Sequence, residues 1–390
     1  MRVLALALLG AALLLVPRAA AKPGRSARVL VRQGGLAAFI PLNELGRRIG
    51  IVAHDHGPLG ISGDGRFGSI GGEISDGVAA PLMLPTKQIV WAPTGERAAY
   101  INTQYGVVEW RPGKGRRKIE PNGWGAEPWF GGLGLAWGPG NQLAVARRNE
   151  IWVIEPNGSS HRLLGPIAPN CCTGGPDIPV PFAWVGNHIL WWEWPGSGSI
   201  ASDGVSIYED NTKLGTTLMY KDYVAVCGTH VALAQGIDRE SMDDKSIVFD
   251  GRDVSNDRTH SWSTPACTAA GRLVASASRN LVPSNTTETH RAIWQLLPTR
   301  KQLTRPPWGW SDEDPRLYAN GDMLFVRTRA TFKKTATSYN ATQTGHVMLL
   351  SHGKLTQLTT IGFTEDELSS AYPVEFYGHY DWSHNLAVWP

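Results

Sequence analysis

Short apolar runs alternate with polar turns along most of the chain, which is the pattern of β-strands joined by tight connections. One unit of this pattern occurs seven times: a bulky or sulfur-bearing residue, a polar turn, and a run of apolar β-forming residues. The anchor residues of the seven copies are Trp91, Trp137, Trp184, Cys227, Cys267, Tyr318 and Trp382, at spacings of 46, 47, 43, 40, 51 and 64 residues. A period of about 40–50 residues predicts repeated sheets of several strands each.

Each copy can be extended into a four-stranded sheet; in the second copy, strands are expected over 133–137, 143–146, 151–155 and 161–164. The predicted fold is therefore all-β, a single β-propeller of seven blades, or of six if the weak Cys227 copy forms none. The last copy supplies only two strands. Residues 28–31 and 36–40 are expected to complete its blade, so that the N- and C-terminal strands close the ring. Residues 49–80 fit no blade and are predicted to be a glycine-rich elaboration.

The first 21 residues have the features of a secretory signal peptide. Arg2 gives a positive start, residues 4–16 form an apolar run with one glycine, and Ala19-Ala20-Ala21 matches a cleavage site. We expect cleavage after Ala21, a propeller domain over 22–390, and a secreted or periplasmic location. An uncleaved membrane anchor is the alternative. No later stretch approaches the length of a membrane span, so none is expected after signal removal.

Without that leader the sequence is nearly neutral, with 35 basic and 34 acidic residues. This balance gives no electrostatic basis for binding nucleic acid or an anionic membrane surface. The basic cluster at 111–118 falls at a predicted strand turn and is expected to be a solvated hairpin. We expect a monomer.

The repeat copies resemble those of TolB-type propellers, in which a Trp-Ser-Pro-Asp-Gly turn precedes apolar residues. Trp91-Ala92-Pro93-Thr94-Gly95 matches this turn most closely, 137–140 (WGPG) and 382–383 (WS) match in part, and the aspartate is missing throughout. The resemblance covers most of the mature chain and implies a periplasmic or secreted propeller that binds partners. Related propellers also cover the catalytic domain of prolyl-oligopeptidase-type hydrolases. No such domain fits in this chain and no G-x-S-x-G motif occurs, so that activity is not expected.

The anchor residues are predicted to connect neighbouring blades, with the tryptophans packed in the gaps between sheets. Cys227 and Cys267 are anchors of adjacent copies at the same end of the inner strands. In an oxidising compartment they are expected to form a disulfide. Cys171 and Cys172 precede an inner strand, on the opposite face, and would be left to pair with each other in a strained adjacent bridge. The alternative is that all four cysteines are buried or free thiols.

Aromatic and acidic side chains are concentrated in the segments that lead into the inner strands. Because all these segments lie on one face of a propeller, they are expected to converge around one channel mouth. The predicted ligand-binding residues are Trp124, Trp129, Trp262, Trp308, Trp310, Glu313 and Glu365. Aromatic rings stack on apolar faces of sugars or peptides, and carboxylates accept hydrogen bonds from hydroxyl or amide groups. The alternative is that these tryptophans plug the channel or pack between blades.

The leading hypothesis is a non-enzymatic binding module for an extracytoplasmic protein, peptide or glycan. Trp308 and Trp310 are its main predicted contacts, because Gly309 and the preceding prolines hold both rings on a short loop. The second hypothesis is a carbohydrate-active enzyme, a glycoside hydrolase or lyase, with carboxylates at the channel mouth. Its candidate acids are Glu127, Asp177, Glu313 and Glu365. A purely structural partner in an envelope complex is the third hypothesis.

Motifs for metals and cofactors are incomplete. His54 and His56 would share one strand face, but two ligands do not make a metal site. The acidic runs at 312–314 and 365–367 lack the spacing of a calcium-binding loop. The glycines of 63–68 satisfy G-x-G-x-x-G, but no helix pattern follows them, so a dinucleotide is not expected. The sequence predicts no metal and no cofactor.

Overall fold

A computed structural model describes the chain over the ranges 27–33, 36–41, 50–52, 59–76, 80–86, 88–125, 134–167, 178–194, 205–217, 221–236, 246–255, 259–279, 290–318, 320–334, 339–361 and 386–388. In these ranges the structure is almost entirely β, and one short 3₁₀ turn spans Lys221–Tyr223. The predicted signal peptide at 1–21 lies outside the described residues. No helix in the described ranges is both long enough and apolar enough to cross a bilayer.

The described strands form eight four-stranded antiparallel sheets. In chain order, the first strands are β1 (Ala27–Gln33), β2 (Leu36–Pro41) and β3 (Gly50–Val52), followed by β4 (Leu59–Ile61), β5 (Gly68–Ile70), β6 (Glu73–Ser75) and β7 (Leu82–Met83). Sheet I comprises β8 (Val90–Trp91), β9 (Ala98–Ile101), β10 (Val107–Arg111) and β11 (Gly115–Lys118). Sheet II comprises β12 (Leu135–Trp137), β13 (Leu143–Arg147), β14 (Glu150–Ile154) and β15 (Ser160–Leu164).

The remaining sheets follow the same order. Sheet III comprises β16 (Ile178–Val185), β17 (His188–Trp194), β18 (Val205–Glu209) and β19 (Thr212–Thr217). Sheet IV comprises β20 (Val224–Cys227), β21 (His230–Gln235), β22 (Ser246–Phe249) and β23 (Arg252–Asp253). Sheet V comprises β24 (His260–Cys267), β25 (Leu273–Arg279), β26 (Arg291–Leu297) and β27 (Lys301–Gln302). Sheet VI comprises β28 (Ser311–Leu317), β29 (Met323–Lys334), β30 (Tyr339–Ser351) and β31 (Lys354–Ile361).

The last strand, β32 (Leu386–Val388), closes the ring. It pairs antiparallel with β1, with Val388 opposite Val29 and Leu386 opposite Val31, and β1 in turn pairs with β2. We call β3-β2-β1-β32 the closing sheet. The first strands of sheets I to VI contact one another in succession, so they line the inside of a ring. The prediction that both ends of the chain share one blade is confirmed.

All seven sheets that the repeat copies predict are present, including the weak Cys227 copy, so the fold is the expected β-propeller and the six-blade alternative is wrong. One expectation needs correction. β4 to β6, in the segment predicted as a blade-free elaboration, form an additional small sheet together with β7 just after that segment; we call it the short sheet. Its β4 contacts both β32 and β8, which places it in the ring between the closing sheet and sheet I. The chain passes so closely there that a Cβ at Gly72 would collide with the carbonyl oxygen of Thr86.

The anchor tryptophans connect neighbouring sheets by a repeated hydrogen bond. The indole Nε1 of Trp137 donates to the carbonyl oxygen of Val90 in sheet I at 3.0 Å. The Nε1 of Trp184 donates in the same way to Ala136 in sheet II at 2.9 Å. Each ring therefore fills the gap between two sheets and satisfies its one donor there, as buried indoles usually do. The structural role predicted for the anchors is confirmed at Trp137 and Trp184, whereas Trp382 lies outside the described residues.

A covalent link connects sheets IV and V. Cys227 at the end of β20 and Cys267 at the end of β24 form the predicted disulfide, with a Cα–Cα distance of 5.6 Å. Cys171 and Cys172 lie outside the described residues, so their pairing remains a prediction.

The core lies between the sheets, because most strands bury both faces. Trp191 and Trp192 on β17 show this alternation. Trp191 packs with Ala144 of sheet II, whereas Trp192 packs with Leu233 of sheet IV. These two rings therefore fill the gaps on opposite sides of sheet III.

Candidate functional site

The loop before β28 presents a tryptophan to solvent. The Trp310 backbone N–H donates to the Pro307 carbonyl oxygen at 3.0 Å, closing a turn in which Gly309 has a φ of +75°. A positive φ at the third turn position is the requirement that glycine meets in a type II turn. At the tip of this turn the Trp308 side chain is 88% exposed. The predicted short, restrained loop is present, and it holds Trp308 away from the core.

Two histidines support this loop from neighbouring strands. The His290 Nδ1–H donates to the Trp310 carbonyl oxygen at 2.9 Å, and its ring lies 6.1 Å from that of Trp308. The Trp310 ring stacks on His346 of β30, with 5.2 Å between ring centroids. Burial and the nearby Arg327 guanidinium lower the pKa of His346, so this imidazole is neutral at physiological pH and stacks without a charge. We call Trp308, Trp310, His290 and His346 the aromatic loop site.

Two other predicted contact residues are part of the core. Trp262 is fully buried on β24 and packs edge-on against Trp294. Trp124 is also buried and lies edge-on to Trp152, with the Arg147 guanidinium 4.9 Å from its ring. The alternative of packing between blades therefore describes these two rings. Trp129 and Glu365 lie outside the described residues, so their convergence with Trp308 stays a prediction.

The acidic run on β28 points inward and is matched by arginines. Glu313 is buried, and its carboxylate lies 4.0 Å from the Arg291 guanidinium. Asp312, which is inaccessible to solvent, accepts two hydrogen bonds from Arg327 at 2.6 and 2.8 Å. Such a two-point contact fixes both groups in one plane. The structure therefore places Glu313 within a buried ion-pair network rather than on the exposed loop.

A third arginine joins two carboxylates that are distant in sequence. Arg316 contacts Asp222, just before β20, at 2.7 Å and Asp314 of β28 at 2.6 Å. Both carboxylates hold the guanidinium in its charged form and raise the pKa of Arg316, against the opposing effect of burial. Because Asp222 precedes sheet IV and Asp314 belongs to sheet VI, this triad connects sheets that are not adjacent.

A repeated histidine–aspartate pair occurs on sheets III and IV, and the sequence interpretation did not include it. The His188 Nδ1 lies 2.6 Å from Asp210, whose other oxygen accepts from the Ile189 N–H. His230 and Asp250 repeat this geometry at 2.7 Å one sheet later. The available signal was the recurrence of His at the start of the second strand and Asp after the third. Each pair fastens a turn to the start of a strand.

The His188 pair predicts a pH dependence of stability. The hydrogen bond with Asp210 and the Asp210 charge raise the pKa of His188 above its ordinary 6.5. The stabilisation is therefore complete below pH 6.5 and is lost as pH rises through the higher pKa of the folded state. We expect His188→Gln to flatten this part of the curve of unfolding free energy against pH, measured by urea denaturation from pH 5.5 to 8.5.

The control His352→Gln, at a ring that contacts the Ser351 hydroxyl rather than a carboxylate, should leave the curve unchanged. Equal slopes in wild type and His188→Gln would contradict this assignment.

In the described ranges, no group of three or more His, Cys, Asp or Glu side chains is arranged to hold a metal ion. His54 and His56 lie outside those ranges.

Comparison with known proteins gives no family assignment. No family profile matches the sequence, and no curated protein matches it. Among solved structures, the chain is similar to an acylaminoacyl peptidase of Pyrococcus horikoshii, with a TM-score of 0.44 and 10% identity over 87% of this chain and 53% of the peptidase. It is also similar to a quinonprotein alcohol dehydrogenase-like protein of Bacteroides thetaiotaomicron, with a TM-score of 0.37 and 10% identity over 86% of this chain and 76% of the other. This chain thus spans about half the length of the peptidase, and at such identities neither activity is carried over to it.

Proposed function

We propose that this propeller is a non-enzymatic binding module that takes an extracytoplasmic protein, peptide or glycan at the aromatic loop site. The observation that carries the proposal is the 88% exposure of Trp308 on a hydrogen-bonded turn. A large apolar ring in water is unfavourable unless a partner covers it, and tryptophan is the residue most enriched among energetic centres of binding surfaces. The restrained turn lowers the entropy lost when the ring is immobilised by a partner.

The carbohydrate-active enzyme alternative has less support from the described residues. A glycosidase acid must hold a proton near neutral pH, and its partner carboxylate must face the same substrate. Glu313 instead lies beside Arg291, and its neighbour Asp312 is bound by Arg327 on two oxygens. Both carboxylates are therefore held in ion pairs with arginines. The other candidate acids, Glu127, Asp177 and Glu365, lie outside the described ranges.

A secreted or periplasmic location is part of the proposal. The Cys227–Cys267 disulfide is compatible with an oxidising compartment. The leader-like residues 1–21 and the TolB-type turn at Trp91 support the same view. We infer a TolB-like propeller that acts after its leader is removed.

Truncating Trp308 is expected to weaken ligand binding without unfolding the protein. A ligand would first be isolated from the native extracytoplasmic fraction with immobilised protein, and its affinity measured by biolayer interferometry. We expect Trp308→Ala to lower the affinity about 30-fold or more, because central tryptophans contribute about 2 kcal/mol or more to binding. The thermal midpoint should stay unchanged, since the ring is mostly exposed.

Leu355→Ala is the matched control, because it removes another exposed apolar side chain from the same sheet at its outer strand. This variant should bind as the wild type does. If Trp308→Ala and Trp310→Ala both retained full affinity for the recovered ligand, the aromatic loop site would not be the binding surface.

A further inference from the structure

A cavity of about 310 Å³ lies between sheets III and IV, away from the aromatic loop site. This volume is near the lower end of the ~300–1,000 Å³ range of small-molecule sites. Its lining combines an aliphatic part with a polar part. The aliphatic side chains are Leu214, Val231, Leu233 and Val248, and the polar residues are Glu209, Thr229 and Asp250. We call this space the III–IV cavity.

The III–IV cavity exists where a carboxylate replaces an apolar side chain. Along β18, Val205 and Ile207 pack with Leu233 of sheet IV, and Glu209 continues the same row because strand side chains alternate. Glu209 lies opposite Leu190 on the neighbouring strand. The equivalent positions in the sheets on either side are Val153, opposite Ala144 in sheet II, and Phe249, opposite Ala232 in sheet IV. Val153 and Phe249 are buried hydrophobics that fill their interfaces. Glu209 has no such apolar side chain to fill the interface. The aliphatic side chains of the cavity lining, such as Leu233 and Val248, therefore face an open space.

The two carboxylates of the III–IV cavity differ in what they already bind. Asp250 accepts from His230 Nδ1 at 2.7 Å through one oxygen and from the Val231 N–H at 3.0 Å through the other. Glu209 makes no hydrogen bond or ion pair within the part of the chain that the structure describes, apart from the longer-range effect of its charge on His188. A half-buried carboxylate beside an aliphatic wall favours a ligand that brings a cationic donor.

The lining also indicates what kind of cation fits. Sites for quaternary ammonium groups are usually built from aromatic rings, and none of the described residues that line this cavity is aromatic. A primary ammonium needs hydrogen-bond acceptors instead, which Glu209 and the Thr229 hydroxyl oxygen provide. The four aliphatic side chains match a short hydrocarbon body.

From this geometry we propose that the III–IV cavity binds a small primary alkylammonium compound. The ammonium group donates to Glu209 and Thr229, and the alkyl body lies on Leu214, Val231, Leu233 and Val248. This site is separate from the aromatic loop site. The proposal that it binds an ammonium compound does not depend on the function proposed above.

Titration calorimetry with the purified full chain and hexylammonium at pH 7 tests the proposal. We expect saturable binding with one site per chain. Hexanol, which has the same body without the charge, should bind about tenfold more weakly, and Glu209→Gln should weaken hexylammonium binding by a similar factor. Glu155→Gln, a carboxylate in the turn after the third strand of sheet II, is the matched control and should not change the affinity.

A second variant tests the location. Val248→Phe places a ring in the cavity, and because Val248 is only partly buried the fold should persist by circular dichroism. This variant should lose hexylammonium binding. The proposal is overturned if the wild type shows no saturable binding, if hexanol binds as tightly as hexylammonium, or if Glu209→Gln or Val248→Phe binds with unchanged affinity.

Discussion

Replacing Arg316 with alanine is expected to lower the free energy of unfolding by about 3–5 kcal/mol, because the change removes the cation shared by two buried carboxylates. Asp222 and Asp314 are 2% and 1% exposed, so both carboxylates lose their cation in a poorly hydrated position. The measurement is urea denaturation at pH 7 followed by tryptophan fluorescence. A loss below about 1 kcal/mol would show that the triad does not join the sheets as described.

The control for this prediction is an exposed ion pair. Arg162 contacts Glu150 at 3.1 Å on the surface of sheet II, with half of the arginine side chain exposed. Arg162→Ala should cost less than about 1 kcal/mol, since solvent screens such pairs. The triple variant Arg316→Met, Asp222→Asn and Asp314→Asn removes all three charges together. It should recover much of the stability lost in Arg316→Ala, which separates the cost of uncompensated charge from that of lost packing.

Removing the disulfide is expected to have an effect of similar size. Cys227 and Cys267 close a loop with a sequence separation of 40 residues, and the chain-entropy relation assigns about 4 kcal/mol to a loop of this length. We expect the double variant Cys227→Ser, Cys267→Ser to unfold at a correspondingly lower urea concentration.

Reductant provides an internal control for the disulfide. Dithiothreitol should lower the urea midpoint of the wild type towards that of the double variant, and it should leave the double variant unchanged. If reductant shifted both proteins equally, the bond between sheets IV and V would not be the source of the stability difference.

The architecture could be predicted because its signals repeat. Each of the seven copies has an anchor, a turn and an apolar strand, and the Trp137 and Trp184 indoles make the same hydrogen bond to the preceding sheet. The short sheet lacked these signals. Its strands have two or three residues each, too few to show an alternation, and Gly60, Gly63 and Gly72 are required by close approach to neighbouring residues. The alternation of apolar and polar residues therefore identified the sheets that have longer apolar strands. It missed the short sheet, which depends on close packing of glycines.

The candidate site was predicted less completely, because burial depends on contacts between distant residues. Trp308 and Trp310 were identified from the glycine and prolines around them, which act locally. Trp262 was assigned to a loop, but β24 begins at His260, so its ring is in a strand and packs against Trp294. Glu313 looked available in sequence, and only the fold brings Arg291 beside it. The pairing of Asp222 with Arg316 spans 94 residues and has no local signal.

The pairing of β1 with β32 has a consequence for synthesis in the cell. The partner of one of the earliest described strands is the latest of them to leave the ribosome. During translation the growing chain can build its sheets in succession, but the strand that joins the two ends is still missing. The propeller therefore stays open, with an unpaired edge on β1, until residues 386–388 emerge. A nascent chain that stalls before these residues would expose that edge to other chains.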